Sequence, residues 1–353
     1  MNIQDIIQSA ISQKASDIFV VAGSPVEIKV NNRLLPYSEE KAMPAITEIL
    51  INQIYILAKR DNKTTLLDQG DDDFSFSIPH LARFRVNVFR QRGSLAAVLR
   101  IVKFEIPKAE DLHIPQDITN FADMRKGLII ISGPAGSGKS STVATLIDRI
   151  NQTRQAHIVT IEDPIEFLHS HSQSVVSQRE IGTDCTSTTT ALKAALRQAP
   201  DVLFVGEMRD LDTISLAITA AETGHLVFST LHTLGASNTV DRIVDVFPPA
   251  QQQQIRVQLS MVLQAVISQQ LITNKEGKLI PVFEVMNSTP AVKNLIREGK
   301  THQLMNAISS SVNEGMISMD AMLVQLVKSG QVDAQEALDH SFDPGLVKKR
   351  IVE

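Results

Sequence analysis

The octapeptide Gly133-Pro134-Ala135-Gly136-Ser137-Gly138-Lys139-Ser140 constrains this chain more than any other stretch of it. An apolar run, Leu128 to Ile131, leads into it, and Ser141 to Ile150 then repeats apolar residues at helical spacing. Strand, glycine-rich turn and helix are the context in which G-x-x-x-x-G-K-[ST] cradles phosphate. The glycines let the backbone curl until successive N–H groups point inward at phosphate oxygens. The helix that follows adds the positive end of its dipole. A lysine at position 139 reaches the β- and γ-phosphates, and the Ser140 hydroxyl serves as a Mg²⁺ ligand. Residues Gly133 to Ser141 are therefore the predicted nucleotide cradle, with ATP and Mg²⁺ as the implied cofactors.

Downstream of Gly127 the pattern is that of an α/β fold. The apolar runs GLIIIS, HIVTIE, DVLFVGE and HLVFSTLH alternate with the amphipathic segments STVATLIDRI and LDTISLAITAAETG. Near-continuous apolar strands separated by helices predict a parallel sheet covered on both faces. QQIRVQLSMVLQAVISQQL reads as one long helix and KLIPVFEVM as a strand, and the last sixty or so residues read as short helices punctuated by Gly299, Gly315 and Gly330. Upstream, a helix opens the chain, IFVV and VEIKV read as strands with a hairpin turn at Asn31-Asn32, and a helix is expected from about Pro44 to Lys59. After an acidic turn from Gly70 to Asp73, FSFSI, RFRVNVF and SLAAVLRIV alternate. The expected organisation is an α+β domain over 1–105, a linker over 106–126 where the periodicity fades around Pro107 and Pro115, an ATPase core over 127–290 and a C-terminal helical region over 291–353.

Acids stand where a triphosphate-cleaving site needs them. TIEDPIEF follows the second strand with Glu162, Asp163 and Glu166, and DVLFVGEMRD ends the next with Glu207. Parallel strands deliver their C-terminal ends to one sheet edge, the edge of the phosphate loop. Glu166 and Glu207 thus approach the γ-phosphate from different strands, one holding the attacking water and the other acting on the metal through its water shell. Glu162 and Asp163 are equally well read as structural acids. Gly206 occupies the position where an aspartate often precedes the glutamate. His225 and His232 flank LVFST, and neither has a neighbour at metal-ligand spacing.

Composition removes several classes. Cys185 is the only cysteine, which excludes a disulfide framework and a cysteine-rich zinc module. A net charge of −5, aromatic content of 4% and no tryptophan argue against a nucleic-acid translocase with a basic, stacking groove. No stretch has the length and continuity of a signal peptide or membrane span, so a soluble, cytoplasmic protein without membrane insertion is expected.

These residues together resemble the type IV pilus retraction ATPases, the PilT family of bacterial secretion ATPases, over essentially the whole chain. The family's Walker A box appears as GPAGSGKS, its Asp box as TIEDPIEF, its Walker B box as DVLFVGEMRD and its His box as AETGHLVFSTLHT. ASDIFVVAGSPVEIKVN resembles the opening of its PAS-like N-terminal domain, ARFRVNVF its arginine-bearing strand, and AVKNLIREGK the retraction motif. The resemblance implies a PAS-like domain followed by a RecA-like one. It implies that Glu166 activates water, that Glu207 acts near Mg²⁺, where the family too has glycine before it, and that His225 and His232 form the His-box pair. Arg83, Arg85 and Arg100 match the region that reaches nucleotide at a subunit junction. A homohexamer docked on an inner-membrane pilus platform is implied, driving pilin removal, twitching motility and related DNA uptake. Val292 and Lys293 depart from the usual motif, which keeps open an accessory PilU-like motor working beside a second retraction ATPase. A pilus-assembly or type II secretion ATPase would carry a longer N-terminal extension and four zinc-binding cysteines, and the intact Lys139, Ser140, Glu166 and Glu207 speak against a non-catalytic scaffold.

Overall fold

A change in hydrophobic period, from alternating to continuous, separates the two halves of the sequence and two bodies of the structure. The computed structural model describes residues 1–60, 64–79, 81–102 and 106–352. One unit comprises Met1–Glu105 with Glu166–Leu168, the other Ile106–Ile165 with His169–Glu353.

In the first unit, helix α1 (Ile3–Ser12) starts at Asn2, whose side chain accepts from the Gln4 amide, and buries Ile3, Ile6, Ile7 and Ala10. Strands β1 (Asp17–Val20), β2 (Pro25–Val30) and β3 (Arg33–Lys41) are followed by α2 (Pro44–Leu57), α3 (Thr64–Gln69), β4 (Asp71–Ile78), β5 (Ala82–Gln91) and β6 (Ser94–Val102). Among the described residues they form a six-stranded sheet in the order β3-β2-β1-β6-β5-β4, antiparallel at each junction. Asn31 and Asn32, at φ of 47° and 64°, make the two-residue hairpin between β2 and β3, because both central residues of that turn need left-handed backbone. Of the acidic turn expected at Gly70 to Asp73, only Gly70 is a bend, and Asp71 to Asp73 are the start of β4. Alternation with Phe74 and Phe76 carries Asp72 to the buried face, where its carboxylate accepts from the Tyr55 hydroxyl at 2.9 Å and from Arg60 at 3.2 Å. Burial, with the Asp72 carboxylate beside it, raises the Tyr55 phenol above its usual value.

The second unit runs α4 (Gln116–Thr119), β7 (Gly127–Ser132), α5 (Lys139–Thr153), β8 (His157–Glu162), β9 (Val175–Glu180), α6 (Thr188–Ala195), β10 (Val202–Val205), α7 (Leu211–Glu222), β11 (Leu226–Leu231), α8 (Ala236–Asp245), α9 (Pro249–Val262), β12 (Leu263–Thr273) and β13 (Leu279–Asn287). The short α-helices α10 (Pro290–Arg297), α11 (Leu304–Ser310), α12 (Met319–Lys328), α13 (Ala334–Asp339) and α14 (Pro344–Val352) close it. Among the described residues its seven-stranded sheet has the order β13-β12-β7-β11-β10-β8-β9, parallel except for the antiparallel edge strand β13. Every residue of β7, β10 and β11 is buried, as expected for strands covered on both faces. Among the described residues, no helix is long and apolar enough to cross a membrane.

Two further sequence expectations are corrected here. The long helix over Gln253 to Leu271 ends at Val262, and the remainder is strand β12, which lies between β7 and β13. Its β-branched Val266 and Ile267 are buried, and a short apolar run cannot by periodicity alone be told from a helix. The supposed linker 106–126 is no free connection. Ile114, Ile118, Phe121 and Ala122 recur at helical spacing and pack into the core with Ile129, Ile131 and Val143. Pro115 and the polar residues between them hid that stripe from the sequence reading.

Candidate nucleotide site

Strand β7 ends at Ser132, and the chain turns through Gly133, Gly136 and Gly138 at φ of 145°, 78° and 85° before α5 begins at Lys139. Glycine at 133 is dictated by the neighbouring strand, since a Cβ there would lie 2.1 Å from the Gln269 carbonyl oxygen of β12. The Lys139 ammonium is buried and donates to the carbonyls of Gly133 and Pro134, each at 2.8 Å, so it lies folded along its own loop. Ser140 and Ser141 are half-buried in the first turn of α5, whose N–H groups have no partner within the helix. The Ser137 hydroxyl is buried within the loop without a hydrogen-bond partner among the described residues. An unsatisfied buried hydroxyl costs about 1–3 kcal/mol, and an anion in the cradle would supply its missing partner. Pro134, Ala135 and Gly136 form the exposed lip. These residues fit a bound polyphosphate.

The strand order sets Glu207 two strands from this loop on the same sheet edge, with His232 between. Proceeding from β7 through β11 to β10, the C-terminal ends carry Gly133, His232 and Glu207 in turn. The His232 Nε2 lies 3.4 Å from the Glu207 Oε2, and Arg209 donates through Nε to the same oxygen at 2.7 Å. That carboxylate bond raises the Arg209 guanidinium above its usual value. Glycine before Glu207 leaves room for a close approach: a Cβ at Gly206 would stand 3.1 Å from the Ile161 carbonyl oxygen, which accepts from the Gly206 amide at 2.8 Å. An aspartate there would press against the next strand. Glu162 is buried, accepting from Thr160 and from Gln178, and Asp163 is exposed. Ser140 and Glu207 supply oxygen donors of the kind Mg²⁺ prefers, a direct hydroxyl and a carboxylate able to act through water. When bound, that ion neutralises charge on the β- and γ-phosphates.

A cavity of about 690 Å³ opens from the cradle at Gly138, Ser141 and Thr142 toward the tip of the β12–β13 hairpin. Ile114, Leu271 and Ile280 give it apolar walls, and Gln269 and Gln331 give polar ones. Gln269 is tied to the cradle, its side-chain oxygen accepting from the Thr142 hydroxyl at 2.8 Å. None of these wall residues stood out in the sequence; Gln269 and Leu271 become neighbours of the loop only when β12 lies beside β7.

Other predicted residues are placed elsewhere. His225 precedes β11 at its opposite end, where its ring Nδ1 meets the Ala220 carbonyl at 2.9 Å. Seven residue steps at about 3.3 Å each put roughly 23 Å between the two histidines, so they stand at opposite ends of the strand. Glu166 is exposed and follows Ile165, whose amide is held by the Glu180 carboxylate at 2.9 Å. Arg83 and Arg85 share one face of β5 in the first unit, and Arg100 lies opposite Arg85 on β6. Arg83 donates to Ser77 at 3.3 Å, Arg100 pairs with Asp17 at 3.3 Å, and Arg85 is exposed.

The model of the type II/IV secretion system protein family matches residues 1–281. The chain belongs to that family. It is 41% identical to the type IV pilus retraction ATPase PilT of Pseudomonas aeruginosa over 98% of this chain and 99% of that protein. It is 43% identical to a twitching motility protein of Neisseria gonorrhoeae, covering 84% of this chain and 79% of the other. A crystal structure of the pilus retraction motor PilT with bound ADP superimposes with a TM-score of 0.91 at 42% identity, covering 99% of each chain. Within the family, the similarity is thus carried by a retraction-type ATPase along its full length.

Proposed function

We propose that this chain is an ATP-hydrolysing motor that powers type IV pilus retraction. The observation that carries the reading is the phosphate loop with Glu207 and His232 on the same sheet edge, in a chain similar throughout to a retraction motor. Lys139 leaves its loop carbonyls for the β- and γ-phosphates, the Ser137 hydroxyl and the amides of the loop take phosphate oxygens, and Ser140 and Glu207 hold Mg²⁺. Glu166 orients and deprotonates the attacking water. Glu207 holds the His232 ring, which faces the phosphates at the neighbouring strand end. The cavity beside Gly138 receives the nucleoside.

The first unit is read as PAS-like and the second as RecA-like, with residues 291–353 as a C-terminal helical region. The motor is a cytoplasmic homohexamer docked on an inner-membrane platform protein, and Arg83 and Arg85 serve a neighbouring subunit's nucleotide. Arg85 and Arg100 are both exposed, and Arg85 is the better placed because Arg100 pairs with Asp17. His225 keeps a structural role within its own subunit.

The test is steady-state ATPase activity of the wild type and Glu166→Gln, with particle mass measured with and without nucleotide. A hexamer-sized particle with slow turnover, and a variant that binds ATP but loses about 100-fold or more in kcat, are expected. A monomer, or a variant with wild-type turnover, contradicts the ring or the assignment of the base respectively. Loss of retraction in cells carrying Glu166→Gln then ties the ATPase to the pilus.

A further inference from the structure

Glu284 is a charged residue at the centre of β13, fully buried and far along the sequence from the acids discussed above. Its Oε1 accepts from the Ala236 amide at 2.8 Å, and its Oε2 accepts from the Met319 amide at 3.3 Å. Ala236 and Met319 are the first residues of α8 and α12, so one carboxylate receives the positive ends of two helices. Because both oxygens act as acceptors, the arrangement suits the ionised form, although burial pushes this carboxyl up.

The loop from Leu231 to Gly235 carries His232 from β11 into α8, and each of its supports is local and directional. The Leu231 carbonyl accepts from the Gly133 amide at 3.2 Å. Thr233 meets Thr239, whose hydroxyl also reaches Ser132 Oγ at 3.0 Å. The Gly235 amide donates to Ser268 Oγ at 2.8 Å. The C-terminal segment closes the circuit. Asp320, next to Met319, accepts from the amides of Phe342 and Asp343 at 2.7 and 3.0 Å. Phe342 in turn packs on Gly235, where a Cβ would stand 3.2 Å from the ring.

We propose that Glu284 is a positioning residue for ATP hydrolysis: by clamping the starts of α8 and α12 on one buried carboxylate, it holds the loop that presents His232. Through Asp320 and Phe342 the same clamp makes that loop answer to the C-terminal helices. The inference rests on the reading of His232 as facing the phosphates. It gives the C-terminal region a mechanical path to the reaction without contact with nucleotide, through groups that each touch the next.

The test compares kcat and KM for ATP in His232→Ala, Glu284→Gln, Phe342→Ala and the double variant His232→Ala/Phe342→Ala of the full chain. Gln at 284 keeps the shape but offers one acceptor where there were two, and Phe342 is 38% exposed, so its removal spares the core if Glu284→Gln does not fold. We expect each single variant to lower kcat about tenfold with KM nearly unchanged, short of the roughly 100-fold that a misplacement of about 1 Å can cost. The double variant should be no slower than His232→Ala, because Phe342 acts through that loop. Wild-type kcat in both Glu284→Gln and Phe342→Ala, or effects of Phe342→Ala and His232→Ala that multiply, would overturn the clamp while leaving the role of His232 intact. Wild-type kcat in His232→Ala overturns both.

Discussion

Gly133 shows how one residue can be fixed from outside its own motif. The sequence reads it as a hinge for phosphate, but the reason it tolerates no side chain is the Gln269 carbonyl of a strand more than a hundred residues away. Gly133→Ala should therefore lower stability by about 2–4 kcal/mol, since an added methyl meets backbone and φ is 145°. Chemical denaturation without nucleotide checks this, and an unchanged midpoint would place the constraint on ligand binding alone. His169 makes the matching case for protonation. Burial holds its imidazole down to about 4, from an ordinary 6.5. Below that ordinary value the unfolded chain takes up a proton that the folded one refuses, so stability is full above it and declines as pH falls toward about 4. His169→Leu should lose less stability than the wild type between about pH 7 and pH 5, as read by denaturation midpoints at each pH. Equal losses would show that the ring is already solvated. Neither effect was legible beforehand, because a glycine and a histidine look the same in sequence whatever their neighbours.

At the scale of elements, α10 separates two roles that the motif AVKNLIRE merges. Val292 and Ile296 are fully buried against the core, while Asn294 and Arg297 are exposed. Ile296→Ala should cost about 2–5 kcal/mol and depress every activity together. Arg297→Glu should leave the melting temperature and ATP turnover unchanged and impair retraction, with twitching and ATPase assays on the same variant as the check. A stable variant with full motility would remove the exposed face from the motor's coupling. The resemblance marked this motif as one unit and did not sort its buried residues from its exposed ones. Helical phase alone could have sorted them, but it does not say which face meets the core. The misread of β12 has a related origin: the central strand of a sheet and a buried helix both present unbroken apolar residues. By contrast, β5 and the hairpin at Asn31-Asn32 were legible, since alternation and left-handed asparagines carry their structure locally.

For the whole molecule, the boundary matters more than the segment lengths suggest. A fragment beginning at 127 omits Ile114, Ile118 and Phe121, each worth about 1.5–3 kcal/mol of buried apolar surface. We expect a fragment of residues 106–353 to melt cooperatively and one of residues 127–353 to be markedly less stable or insoluble. Equal melting of the two would return 106–126 to the status of a tether. The phosphate loop, the apolar strands and the candidate acids were determined by the sequence alone, because a nucleotide cradle and a covered parallel sheet are built from local spacing and continuous hydrophobicity. Which strand lies beside which was decided only in the tertiary structure. That order puts His232 against Glu207, sets Gln269 behind the loop and buries Glu284 between two helix starts. Such neighbours are far apart in the chain, and the sheet order that joins them depends on the packing of every layer at once.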